Sequence, residues 1–429
     1  MIGLSAKLSA YESANGPIGV SIIGAGQMGK SLLAQMRLIR GMRLRVLYNR
    51  TKDTMLAALR SAGYSEKDYI VTDDMQKAHA APGDAIIATQ NREIATGLGN
   101  VDCVVEATGV PSLGAWVAMD AIANKKHIVM MNVETDVALG HLFYRKAREN
   151  GVVYTGTAGD EPGAVMELYE MATAIGLNVL CIGKGKNNPI DYDCTPKSVE
   201  HIARVKRASP RMIASFMDGT KTMVEMTAMA NATGFTPDIP GGHGASAAIN
   251  EVASVMRLKS EGGILNNYGV VDYINGIAPG VFIVVTTPQP EALDIFRYLA
   301  MGEGPNYTLY RPFHLTSLET PITIARAVID KQPTIVPTFG RIAQTITLAK
   351  RDLAPGDMLD GIGGYSVRGQ FISQKDVGDA LPIGLIDENT RVTRPVKRGE
   401  PVRFGDVDMP DSLVLSLYRE QEQMLSAAR

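Results

Sequence analysis

Along the first 150 positions apolar residues follow two rhythms: short unbroken runs, and stretches where they recur every third or fourth residue. Ile18-Gly19-Val20-Ser21-Ile22-Ile23 is a run of the first kind and reads as a strand. Met28 to Ile39 follows the second rhythm, with Leu32, Leu33, Met36 and Ile39 at helical spacing. Leu44 to Tyr48 reads as a second strand, and further buried strands are predicted over 84–88, 101–105 and 127–131. Helical patterns lie between most of them. Strands alternating with helices predict a parallel sheet covered on both faces. Residues 1–15 form a polar arm of helical character.

After about Thr157 the pattern changes. Glu161 to Ala174 reads as a helix, a Lys- and Asn-rich turn follows at 183–188, and a polar stretch runs to about 210. Ser215 to Thr233 is again helical. Gly241-Gly242-His243-Gly244 and Glu261-Gly262-Gly263 have the composition of site loops, and Gly280 to Val285 is β-rich. From Ile346 the chain breaks into short β segments, in which 349–357 is partly echoed by 396–402. Asp411 to Ala427 reads as an amphipathic helix capped by Asp411. The expected class is α/β: a nucleotide-binding domain of Rossmann type over 16–157, a central α+β catalytic or dimerisation domain over 158–340, a small β-clip domain over 341–410, and a terminal helix over 411–429.

Composition narrows the function. The 429 residues, 45% of them hydrophobic and 21% charged, exclude disorder as the main state. A net charge of −2 gives no strong field for nucleic acid or an anionic membrane. Cys103, Cys181 and Cys194 lack metal-ligand spacing and suit a reducing compartment. Without an apolar stretch near the roughly 18 residues of a membrane span, or a signal sequence, a cytoplasmic protein is expected.

Gly24-Ala25-Gly26-Gln27-Met28-Gly29 fits the dinucleotide fingerprint between a strand and a helix. Gly24 permits the turn, Gly26 lets backbone approach a pyrophosphate, and Gly29 lets the helix pack on the strand. The second strand ends at Asn49, where the ribose is read. With Asn49-Arg50-Thr51 there, no carboxylate repels a 2′-phosphate and Arg50 can pair with one, so NADP is expected over NAD. Thr108 and Gly109 fall where such folds pass under the nicotinamide.

On the substrate side, Lys184-Gly185-Lys186-Asn187-Asn188 is the densest set of donors in the chain. It suits a phosphate, a carboxylate or a developing oxyanion. Asp218 and Lys221 follow, with Glu225 one turn beyond Lys221, which makes acid–base work or a plain surface ion pair the alternatives. Asp160 and Glu161 are candidates for a divalent ion (Mg or Mn), with Glu161 also a catalytic candidate. His243, Arg311 and His314 are candidates for substrate contact.

The order GAGQMG, EATG, MMNVE, AGDEPG, GKGKNNP, DGTKTMVEM, PGGHG and RPFHLTSLE, followed by a β-clip, resembles the homoserine-dehydrogenase-like oxidoreductases with a C-terminal SAF domain. Within them it is similar to the 1-deoxy-D-xylulose 5-phosphate reductoisomerase-like enzymes of isoprenoid biosynthesis. The resemblance implies an NADP domain, a central catalytic and dimerisation domain, a homodimer and a small anionic substrate. Asn132-Val133-Glu134 replaces the lysine context of homoserine dehydrogenases, which argues against homoserine oxidation. Two enzyme readings follow: an α-ketol rearrangement with reduction by NADPH, or oxidation or reduction of another small polar hydroxy or oxo compound. A non-catalytic NADP-binding sensor is the third reading.

Overall fold

A computed structural model describes residues 3–427 and divides into two compact units. The first holds the described residues up to Asp160, with Leu315–Val336 and the chain from Ser412 on. The second holds Glu161–His314 and Pro337–Asp411.

The first unit is built on seven parallel strands: β1 (Ile18–Ile23), β2 (Met42–Tyr48), β3 (Tyr69–Val71), β4 (Ile86–Thr89), β5 (Cys103–Glu106), β6 (His127–Met130) and β7 (Tyr154–Gly156). Their spatial order is β3-β4-β2-β1-β5-β6-β7. Its helices are α1 (Leu4–Asn15), α2 (Gln27–Met36), α3 (Lys52–Ser61), α4 (Met75–Ala80), α5 (Arg92–Gly97), α6 (Pro111–Ala123) and α7 (Val133–Glu149). Every residue of β1 is buried, as a central parallel strand covered on both faces requires. Because β1 pairs with β2 on one side and β5 on the other, the strand order reverses at its carboxyl end. Ligands of such sheets bind at that crevice. The three-residue strands β3 and β7 escape the sequence pattern because each is too short to set a rhythm.

Two later segments rejoin this unit, so the single domain expected over 158–340 is interrupted. Ile324, Ala325 and Val328 enter the same apolar core as Leu32, Leu33 and Met36. The C-terminal helix, Leu413–Ala427, is capped by Ser412, whose hydroxyl accepts from the Leu415 N–H at 3.2 Å, rather than by the expected Asp411. Its Gln421 is buried and spans a turn of α7, accepting from Leu142 N at 3.1 Å and donating to Ala138 O at 2.7 Å.

In the second unit α8 (Glu161–Ala174) leads into β8 (Asn178–Lys186). Helices α9 (Glu200–Lys206), α10 (Pro210–Met217) and α11 (Thr220–Thr233) follow. Strands β9 (Ala245–Ser246), β10 (Val270–Asn275), β11 (Val281–Thr286) and β12 (Tyr307–Arg311) then complete a mixed sheet of order β12-β11-β8-β10-β9. One sheet face, with Ile182, Val271, Val281 and Ile283, packs on Ala164 and Val165 of α8 and on Met223, Met226 and Met229 of α11. The other face, with Cys181, Val270 and Val284, packs on Val252, Met256 and Leu265.

Helix α11 is buried nearly all round because a β module covers its outer side. That module holds the antiparallel pair β13 (Ala343–Ala349) and β14 (Val367–Ser373) and the short pair β15 (Arg391–Val392) and β16 (Val407–Asp408). Its two echoing segments lie against each other, through Leu353 N to Val396 O at 2.9 Å and the return bond at 3.1 Å. Asn231 of α11 accepts from Ile342 N and Ala343 N, and Thr220 accepts from Gly369 N, which fixes the module to the helix.

Candidate active site

In the first unit, the fingerprint glycines take up the geometry their spacing implies. Gly24 has φ of 109°, in the region glycine favours. A Cβ on Gly29 would lie 1.9 Å from Gly24 O, so the close approach of α2 to the strand admits nothing larger. A Cβ on Gly26 would meet nothing within 4 Å. That open space lies at the N-terminus of α2, which no side chain caps and where Gln27 and Met28 supply the first turn. Uncapped N–H groups and the positive end of the helix dipole suit a phosphate there, so the residues present fit a dinucleotide. Gly26→Val is expected to melt like the wild type yet lose NAD(P)H binding, read by fluorescence titration. Retained binding would remove the cradle.

Asn49 directly follows β2, and its side chain is engaged: Oδ1 accepts from Ala25 N at 3.1 Å and Nδ2 donates to Thr51 O at 2.9 Å. It therefore braces the glycine loop. Arg50 is exposed, and among the described residues its guanidinium has no hydrogen-bond or ion-pair partner. Thr108 and Gly109 follow β5, where the Thr108 N–H donates to Glu106 Oε1 at 2.9 Å. Glu106 was not singled out from the sequence, although a carboxylate ending the apolar run 103–105 was a legible signal. It is fully buried, and burial pushes its carboxyl up to about 7 against the pull of the two hydrogen bonds from Thr108.

In the second unit, Lys184 and Lys186 lie in a strand and not in the turn expected at 183–188. They continue the alternation of Ile182 along β8 and end it on the face covered by α8 and α11, at 4% and 5% exposure. Each covering helix supplies a carboxylate. Lys184 Nζ donates to Oε1 of Glu161 at 2.6 Å and to Oε2 of Glu225. Burial works against the Lys184 charge, but Glu161 and Glu225 outweigh it and hold its pKa above the ordinary value. Glu225 is 1% exposed and pairs with Lys184, so it is not the exposed half of a surface ion pair. Burial and the neighbouring Glu161 raise the Glu225 pKa against the pull of Lys184 and Lys221.

Lys186 differs from its neighbour. Among the described residues its Nζ makes one hydrogen bond, to Phe216 O at 2.8 Å. Burial, then the Lys184 charge, brings its pKa down to about 8. It can hold or release a proton near neutrality, as an acid–base group must. His314 Nε2 stands 3.4 Å from Glu161 Oε1, so it joins this cluster. Asn187 is exposed and Asn188 half-buried in the bend beyond the strand.

Three other candidates are engaged elsewhere. Asp218 is fully buried and pairs with Lys350 at 2.6 Å, a lysine whose Nζ also donates to Cys194 O and Gly364 O. That makes Asp218 a tie to the β module instead of a free acid, and Lys350 gave no sequence signal. His243 bonds Asp272 at 2.8 Å and faces Asp238 at 3.4 Å, while Asp272 also accepts the His243 and Gly244 N–H groups. These contacts hold the glycine loop, and no bond from His243 reaches Lys184 or Lys186. Arg311 pairs with Glu167 at 3.2 Å and lies over the Phe313 ring. Asp160 and Glu161 are the residues at which the chain passes from one unit to the other.

Comparison with known proteins bears on the second unit most directly. Residues 159–320 match the family described as oxidoreductase DRL, catalytic domain, a span that includes Glu161, Lys184, Lys186, Glu225 and His314. An oxidoreductase is thereby supported. No curated protein matches the chain by sequence. Among solved structures, a probable dehydrogenase from Thermotoga maritima is similar at 14% identity and a TM-score of 0.42, covering 74% of this chain and 90% of its own. DOX-P reductoisomerase in complex with magnesium is similar at 18% identity and 0.40, covering 72% and 68%. GenD2 from gentamicin A biosynthesis, in complex with NAD, gives 14% and 0.37, covering 75% and 89%. Likeness at these scores carries no argument about chemistry. Among the described residues no helix is long and apolar enough to cross a membrane.

Proposed function

We propose that the protein is an NADPH-dependent oxidoreductase of a small anionic hydroxy or oxo compound, and specifically a reductoisomerase of a phosphorylated ketose of the 1-deoxy-D-xylulose 5-phosphate type. The observation that carries the reading is the pair of buried lysines on β8, one locked between two glutamates and the other free to titrate. The match of 159–320 to an oxidoreductase catalytic domain supports it. The bound dinucleotide supplies the hydride.

This chain's own residues do the rest. As hydride reaches a carbonyl carbon, the oxygen must take a proton, and Lys186 Nζ donates it. Lys184, held by Glu161 and Glu225, is a fixed charge that keeps the Lys186 proton labile. In the rearrangement that precedes reduction, one carbon–carbon bond breaks as another forms, without net oxidation. A hydroxyl proton leaves, and the same amine can carry it. Asp160 and Glu161 remain the candidates for a divalent ion.

The deciding measurement follows NADPH absorbance with 1-deoxy-D-xylulose 5-phosphate and with a panel of small oxo acids and ketoses, with and without Mg²⁺. Oxidation with the phosphorylated ketose alone supports the specific reading. Oxidation with an oxo acid alone leaves a plain reductase, and none with any substrate favours the sensor.

The NADP preference rests on Arg50, whose guanidinium has no partner among the described residues, and on Asn49 standing where a carboxylate would repel a 2′-phosphate. Arg50→Ala is expected to raise KM for NADPH roughly 10- to 100-fold, the worth of a hydrogen bond to a charged group, with KM for NADH nearly unchanged. Equal effects on both coenzymes would contradict a 2′-phosphate contact.

A further inference from the structure

One strongly basic group of the second unit is not used by the proposed chemistry. Arg368 lies on β14, outside the 159–320 match, and its guanidinium stacks over the Tyr192 ring at 3.8 Å. It is half-buried, and its one hydrogen bond among the described residues is a 3.3 Å contact to Gln370 Oε1. Most of its donors are therefore unused, although the stack on Tyr192 fixes the plane in which they point.

The carboxylates near Arg368 are already taken. Asp218 and Asp193 lie close enough to favour its charge. Yet Asp218 is paired with Lys350, and Asp193 accepts two contacts from Arg398 at 2.6 and 2.7 Å. Each acid has its own cation, which leaves Arg368 as a surplus positive charge. Lys186 Nζ bonds Phe216 O, Asp191 N beside Tyr192 bonds Met217 O, and Gly369 N beside Arg368 bonds Thr220, so all three segments meet at the turn between α10 and α11.

Two hydroxyls complete the set. Tyr273 stands in register with Lys184 on the neighbouring strand, and its electrostatic neighbours include Tyr192. Its hydroxyl lies where a Cβ on Gly244 would fall, so the glycine there makes room for the ring. Neither tyrosine hydroxyl bonds a described residue. Burial pushes the Tyr273 phenol up to about 12, so near neutral pH it offers a proton to an anion. Lys184 cannot take the same role, because two carboxylates already neutralise it.

We propose that Arg368, with the hydroxyls of Tyr192 and Tyr273, forms a phosphate-binding subsite that seats the anionic end of the substrate at the border of the Lys184–Lys186 cluster. This rests on the oxidoreductase reading for the identity of the substrate, and it gives the β module a part in binding it. A planar fork and two neutral donors match the several oxygens of a phosphate monoester better than a single carboxylate.

The test is calorimetric titration of the full-length protein, with NADPH bound, by inorganic phosphate and in parallel by acetate. Wild type is expected to bind phosphate and to bind acetate more weakly. Arg368→Ala is expected to lose about 10-fold or more in phosphate affinity, as removal of a charged hydrogen-bond partner implies. NADPH affinity, measured on the same sample, should stay unchanged. Should that variant fail to fold, Tyr192→Phe keeps the ring beneath the guanidinium and removes only the hydroxyl; a several-fold loss supports the subsite. Phosphate affinity unchanged in whichever variant folds overturns it, as does tighter binding of acetate than of phosphate in wild type. Absence of NADPH binding in wild type would instead count against the oxidoreductase reading, and the phosphate titration can be run without it.

Discussion

Lys186→Met is expected to lower kcat about 10²- to 10⁴-fold, the usual worth of a positioned acid–base group, and to leave NADPH affinity near that of the wild type. Burial and the adjacent Lys184 bring the Lys186 pKa down to about 8, so the amine is mostly protonated at pH 7 and mostly neutral at pH 9. Reduction needs the protonated form. Its rate should fall as pH rises through about 8, and the oxidative rate should rise over the same interval. In the variant both limbs should vanish along with the rate. A normal rate, or a wild-type limb near pH 8 that survives the substitution, would remove Lys186 from the chemistry.

The same shift has a stability signature of opposite sense to a salt bridge. The Lys186 folded pKa lies below its unfolded value of about 10.4, so between about 8 and 10.4 the unfolded chain binds more protons. The contribution of this group to stability therefore rises with pH across that window, and below it the buried charge is a cost. Lys186→Met removes that cost. The variant should melt no lower than wild type at pH 7, which separates a catalytic loss from a folding defect.

How much of this was legible depended on the distance between interacting residues. Gly24, Gly26 and Gly29 lie within six positions, and their roles are local backbone roles, so the cradle followed from the spacing. The β8 lysines follow no such rule. Lys-Gly-Lys-Asn-Asn has the composition of an exposed turn, and only Glu161 and Glu225, 23 and 41 residues away, make burial tolerable. Helix α11 gave no clear amphipathic stripe because the sheet covers one side and the β module the other. Asp218 carries no local mark of its pairing, because its partner Lys350 lies far along the chain. The return of Leu315–Val336 to the first unit had no local signal either, since Ile324 and Val328 are ordinary apolar residues wherever they pack.

Lys184 should prove to be a stability residue as much as a functional one. Its ammonium lies between two carboxylates with side-chain exposures of 11% and 1%. Lys184→Met would leave both without their cation, and breaking a buried pair in this way costs about 3–5 kcal/mol. The urea midpoint should drop accordingly. With the cation gone, the pKa of Glu225 moves further above the unfolded value, so above about pH 4.3 the folded variant binds more protons than the unfolded chain. Its deficit against wild type should therefore be larger at pH 8 than at pH 5. Adding Glu225→Leu to Lys184→Met should recover part of the loss, because one stranded charge is then removed with its partner. A double variant whose loss equals the sum of the two single losses would mean that Lys184 and Glu225 do not pair in solution, and the division of labour between the two lysines would fall with it.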